Sequence, residues 1–136
     1  MLFRSDRREH GAAEQAGEFH PARDRSDERG TGAGVGLNVN LPMPHRSPES
    51  VFFDKLGEAL AAVERFQPDA LVLSLGFDIY REDPQSQVDV STEGFGRLGT
   101  AVGALGLPTL VVQEGGYHLE TLGDLVASTL RGLAED

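Results

Sequence analysis

Two short, nearly unbroken apolar runs constrain this chain most: Asp69-Ala70-Leu71-Val72-Leu73-Ser74-Leu75 and Thr109-Leu110-Val111-Val112. A run of this kind reads as a strand covered on both faces, the situation of strands in a parallel sheet. Between them, Ser91-Thr92-Glu93 opens a segment in which Phe95, Leu98, Val102 and Leu105 recur at helical spacing; Gly106 and Pro108 end it. Another helix precedes the first run. Ser47-Pro48-Glu49 offers an N-cap, a first-turn proline and an acid at the positive helix end. Phe52, Leu56, Leu60, Val63 and Phe66 form its stripe, and Gln67-Pro68 stops it. A last helix is marked by Leu119, Leu122, Val126, Leu130 and Leu133. With Asn38-Val39-Asn40-Leu41-Pro42 read as a short extended strand, helices and strands alternate. The class is α/β, with a mainly parallel sheet flanked by helices. Three strands make a narrow sheet, and the two apolar ones are unsuited to exposed edges. The pattern fits one half of a larger domain.

Residues 1–36 differ in kind. They are crowded with Arg, Asp, Glu and Gly, and their few apolar residues fit no period, so an irregular or disordered segment is expected before an ordered domain at 37–136. The run Gly30-Thr31-Gly32-Ala33-Gly34-Val35-Gly36 contains Gly-x-Gly spacing, but a dinucleotide fingerprint follows a strand and opens a helix. Here a polar tail precedes it and an extended segment follows, which disfavours a nucleotide-binding module. Twelve basic against 22 acidic residues, without a basic cluster, exclude a phosphate-backbone binder as the natural reading. The chain has no cysteine, so any metal would be held by His and carboxylate. No apolar stretch reaches the roughly 18 residues of a membrane span, and the N-terminus lacks a secretory h-region. A soluble, cytoplasmic protein is expected.

Chemistry-bearing residues gather where the strands end. Gly76-Phe77-Asp78 closes the first run and Glu114-Gly115-Gly116-Tyr117 closes the second. Open α/β sheets build their sites beyond the carboxyl ends of strands. Asp78 could coordinate a divalent cation there, or cap a turn or pair with Arg81. Gly115 and Gly116 allow a sharp turn or a close approach to a ligand. Tyr117 could donate its phenolic proton to a developing oxyanion, or be a half-buried packing residue. Asp83-Pro84, taken alone, is ordinary turn chemistry.

Taken together and in order, these segments resemble the C-terminal part of the zinc-dependent deacetylase family, which includes histone deacetylases and acetylpolyamine amidohydrolases. Asn38-Val39-Asn40-Leu41-Pro42-Met43-Pro44, Phe66-Gln67-Pro68-Asp69, Gly76-Phe77-Asp78 through Asp83-Pro84, and Glu114-Gly115-Gly116-Tyr117 carry the likeness. Ser26-Asp27-Glu28-Arg29-Gly30 is similar to a loop of the acetylpolyamine branch. The resemblance implies half of an arginase/deacetylase-like domain, a partial three-layer sandwich. It implies zinc as cofactor with Asp78 as a ligand, Tyr117 as the catalytic group polarising an amide carbonyl, and Gly115 and Gly116 in the site loop. The implied substrate is an acetylated amine, acetyl-lysine or acetylpolyamine. The family also uses an Asp-x-His pair and a His-His pair. The four histidines here, His10, His20, His45 and His118, form neither. The expectation is therefore a member truncated on its N-terminal side, inactive alone, which a complementary half or self-association would cover. The alternative is a degenerate, non-catalytic module that serves as a structural or partner-binding piece.

Overall fold

The computed structural model describes residues 29–134. The expectations for His10, His20, Ser26 and most of the N-terminal segment fall outside that range. The described residues divide between two compact units, 29–42 and 43–134. In the first, Gly32–Gly34 form one 3-10 turn, and Gly36 N donates to Arg29 O at 2.6 Å. Residues 38–42 form no ladder among the described residues, so the strand expected there is not found. The asparagine side chains bond each other instead, Asn38 Nδ2 to Asn40 Oδ1 at 3.4 Å.

The second unit is α/β: parallel strands flanked by helices. Its elements are β1 (Ser47–Pro48), α1 (Glu49–Phe66), β2 (Leu71–Leu75), β3 (Val88–Asp89), α2 (Thr92–Gly103), β4 (Thr109–Gln113) and α3 (Leu119–Ala134). β2 and β4 pair in parallel from Leu71↔Thr109 to Leu75↔Gln113, with α2 lying between them in sequence. A second, two-residue parallel ladder joins β1 to β3, and Tyr80 bridges to Val90.

α1 begins one residue later than its sequence suggests. Ser47 does not cap it: the Ser47 hydroxyl donates to Pro44 O at 2.6 Å, and the Ser47 backbone belongs to β1. Phe52, Leu56, Ala59 and Val63 are buried, whereas Phe66 is exposed. Gln67 takes the left-handed conformation (φ 52°) and donates to Val63 O, and Pro68 prevents continuation. α2 begins where the sequence places its opening, and Ser91 caps it: Ser91 Oγ accepts from Gly94 N at 3.0 Å. That serine also donates from its N (2.8 Å) and Oγ (2.7 Å) to Glu49 Oε1, while Arg97 reaches Glu49 Oε2 at 3.3 Å. The Ser91 backbone and hydroxyl donors, helped by Arg97, hold the Glu49 carboxyl below its ordinary range.

The last helix buries a different face from the one its leucines suggest. Leu125, Thr129 and Gly132 are buried on α3, while Leu119 and Leu130 are exposed. The reason is the closeness of α2. A β-carbon on Gly99 would overlap the Thr129 carbonyl, and one on Gly132 would overlap the Gly96 carbonyl. Backbones this close admit only small residues where they touch, and Leu119 and Leu130 lie away from that seam.

The sheet also departs from expectation. Leu71, Leu73 and Leu75 are buried on one face of β2, and Phe77 beyond them stacks on Phe95 of α2 with centroids 5.2 Å apart. On the other face Val72 is 53% and Leu110 62% exposed, with Val112 exposed beside them. Among the described residues the apolar runs are thus covered on one side only. None of the helices among the described residues is long and apolar enough to cross a membrane.

Candidate functional site at the strand ends

Beyond the β2–β4 ladder the two chains stay hydrogen-bonded. Glu114 N donates to Leu75 O at 2.9 Å, and Phe77 N donates to Gly115 O at 2.8 Å. These bonds bring the backbones carrying Asp78 and Tyr117 together at the carboxyl edge of neighbouring parallel strands.

Asp78 lies in the 3-10 turn Phe77–Ile79 and is 8% exposed. Its carboxylate folds back over Gly76, where a β-carbon would overlap Oδ1. Any larger residue at 76 would displace the acid, which gives that glycine a steric reason. Arg81, the alternative partner suggested by sequence, places Nε 3.1 Å from Asp89 Oδ1.

Gly115 is buried, and Gly116 has φ +140°, a backbone that other residues rarely adopt. A β-carbon at Gly116 would also lie 2.9 Å from both Leu122 Cδ1 and Phe77 Cβ. The turn therefore needs glycine for conformation and for space. Tyr117 follows it, 45% exposed.

The next residue, His118, precedes α3, and its carbonyl accepts from Thr121 and Leu122 N. Its Nδ1 is 2.8 Å from Thr121 Oγ1, and its ring meets Tyr80 edge-on at 5.6 Å. His118 is partly buried, because Tyr80 and Thr121 hold the ring. His45 is exposed.

Asp83 is the residue that sequence reasoning undervalued. It is 6% exposed, and its Oδ2 accepts from both Tyr117 N (2.6 Å) and His118 N (3.1 Å). Its Oδ1 accepts from Gln85 N at 2.8 Å. Only the turn signal of Asp-Pro was visible in the sequence, and it says nothing of partners 34 and 35 residues away.

Among the described residues no group of three or more His, Cys, Asp or Glu side chains could hold a metal ion. A catalytic zinc takes three protein ligands. Asp78 is a chemically suitable donor, but the described residues do not fit a zinc site by themselves.

The histone deacetylase domain profile matches residues 10–133. Over 105 residues, 76% of the chain, the sequence is 65% identical to an acetylpolyamine amidohydrolase of Burkholderia pseudomallei. Over 107 residues it is 43% identical to acetylpolyamine amidohydrolase 1 of Pseudomonas aeruginosa. The chain spans 31% of the length of each, so about a third of the curated relatives it matches. The crystal structure of the Burkholderia pseudomallei acetylpolyamine aminohydrolase superposes with a TM-score of 0.78 at 62% identity, covering 79% of this chain and 32% of that one. The HDA15 HD domain superposes with a TM-score of 0.75 at 29% identity, covering 89% and 36%. With these matches and the parallel strand ends in agreement, the chain belongs to the histone deacetylase domain family.

Proposed function

We propose that this chain supplies the Asp78- and Tyr117-bearing portion of an amidohydrolase acting on N-acetylated amines, acetylpolyamines foremost. In the overall reaction water adds across the amide, the C–N bond breaks, and acetate and a free amine leave. The observation that carries this reading is the hydrogen-bonded junction of the two strand ends, Glu114 N to Leu75 O and Phe77 N to Gly115 O, in a chain so close to an acetylpolyamine amidohydrolase. Tyr117 is assigned the role of donating its phenolic proton toward the amide oxygen as charge develops there. Gly115 and Gly116 shape the turn that presents it. Asp78 is assigned as one ligand of the zinc expected of the family, which when bound would polarise the amide. The remaining ligands and the proton-transferring histidines belong to the rest of the domain.

The exposed sheet face with Val72, Leu110 and Val112 is where that remainder would pack. On this reading the 136-residue chain alone does not turn over substrate. The test compares the chain alone with the chain completed by the remainder of the Burkholderia pseudomallei relative. The measured quantity is acetate released from a short N-acetylated diamine and from an acetyl-lysine peptide. Release only by the completed domain, faster from the diamine, is expected. Failure of the completed domain on both substrates would sink the proposal. It would favour a second reading, a non-catalytic partner-binding piece, to which the lack of a three-donor cluster among the described residues also points.

A further inference from the structure

We propose that Asp83 is a positioning residue for Tyr117, clamping the backbone that presents the phenol onto the loop that carries Asp78. The proposal rests on the reading of Tyr117 given above. Successive backbone N–H groups make a concavity suited to an anion, and Asp83 Oδ2 fills the one formed by Tyr117 and His118. Hydrogen bonds to a carboxylate are stronger than neutral ones, and burial keeps water from competing for them.

The loop bearing this carboxylate is itself pinned: Tyr80 N donates to Phe77 O and Asp83 N to Tyr80 O. The span from Asp78 to Asp83 therefore acts as a short rigid strut. The tyrosine turn is held to that strut at two points, Gly115 O on Phe77 N and Tyr117 N on Asp83 Oδ2. Gly116, with φ +140°, lies between the anchors and would otherwise be the joint about which the turn swings. Because His118 opens α3, the same carboxylate also meets the positive end of that 16-residue helix. One buried acid thereby fixes the Tyr117 backbone relative to Asp78.

The first readout needs no turnover. In the full chain, amide hydrogen exchange at Tyr117 and His118 is followed in Asp83→Asn and Asp83→Ala, with Leu73 and Val111 in the ladder as controls. An asparagine offers one acceptor oxygen where three N–H groups arrive at two. Exchange at Tyr117 and His118 should quicken about tenfold or more in the alanine variant and less in the asparagine variant, with the controls unchanged. In the completed domain, Asp83→Asn should lower kcat roughly 10- to 100-fold with KM little altered. It should add almost nothing on a Tyr117→Phe background. Unchanged exchange at Tyr117 and His118, or an equal fall in kcat with and without the phenol, would overturn the clamp. An intact exchange effect beside an inactive completed wild type would instead sink the enzymatic reading alone.

Discussion

The seam between α2 and α3 and the open face of the β2–β4 pair are both apolar in sequence, yet they reach opposite ends. At the seam, Gly96, Gly99 and Gly132 let two helix backbones meet, and Leu125 and Thr129 are sealed behind them. On the sheet, Val72, Leu110 and Val112 face outward. The difference lies in the partner. α2 finds its neighbour α3 one strand further along the same chain, whereas the sheet face needs a layer that the described residues do not supply. Burial is thus a property of the pair of surfaces, and the apolar content of either one does not set it.

The largest expected effect attacks the closed side. Gly99→Leu forces a side chain into the Thr129 carbonyl, and the seam has no room to relax. A loss of about 3 kcal/mol or more, read as a fall in denaturant midpoint, is expected. The sheet gives a paired test with one residue on each face. Leu73→Ala should cost about 2–5 kcal/mol because its side chain is buried. Val72→Thr, one residue away on the open face, should stay within about 0.5 kcal/mol in the chain alone. It should also reduce self-association in light scattering. Equal effects at the two positions would erase the distinction between the faces.

A smaller effect concerns the joint at the head of α2. Ser91→Ala removes the cap on Gly94 and one of the three donors to Glu49, and should cost about 1–2 kcal/mol in thermal unfolding. Glu49 gives the smallest effect, visible only in acid. Its folded pKa is lowered, so its contribution is fully present above the unfolded value of about 4.3 and is lost as pH falls through the folded one. Stability below about pH 4.3 should therefore decline less steeply in Glu49→Gln than in the wild type. Parallel acid profiles would remove Glu49 from the account.

Much of the fold was legible because local signals agreed. The alternation of periods located all three helices and both longer strands, and Ser91 and Gln67-Pro68 marked real boundaries. What failed had non-local causes. The α3 face was misread because Leu119, Leu122, Val126, Leu130 and Leu133 form a stripe at helical spacing, while the neighbouring face with Leu125, Thr129 and Gly132 was selected by the nearness of α2. Ser47 looked like a cap, but its backbone pairs with Val88 in the β1–β3 ladder, and its hydroxyl goes to Pro44 instead. The residues 38–42 looked extended enough for a strand but have no ladder partner among the described residues. At the candidate site, Asp78 and Tyr117 could be named because each follows a glycine-marked strand end. Asp83 could not, since Tyr117 and His118 lie two strands and a helix further along the chain.

The central claim is that Asp78 and Tyr117 serve one amide-cleaving centre. Its most direct measurement is acetate release by the completed domain carrying Asp78→Asn or Tyr117→Phe, each checked for an unchanged melting transition. The account expects each variant to lose about 100-fold or more in kcat. Either variant releasing acetate at the wild-type rate would contradict it.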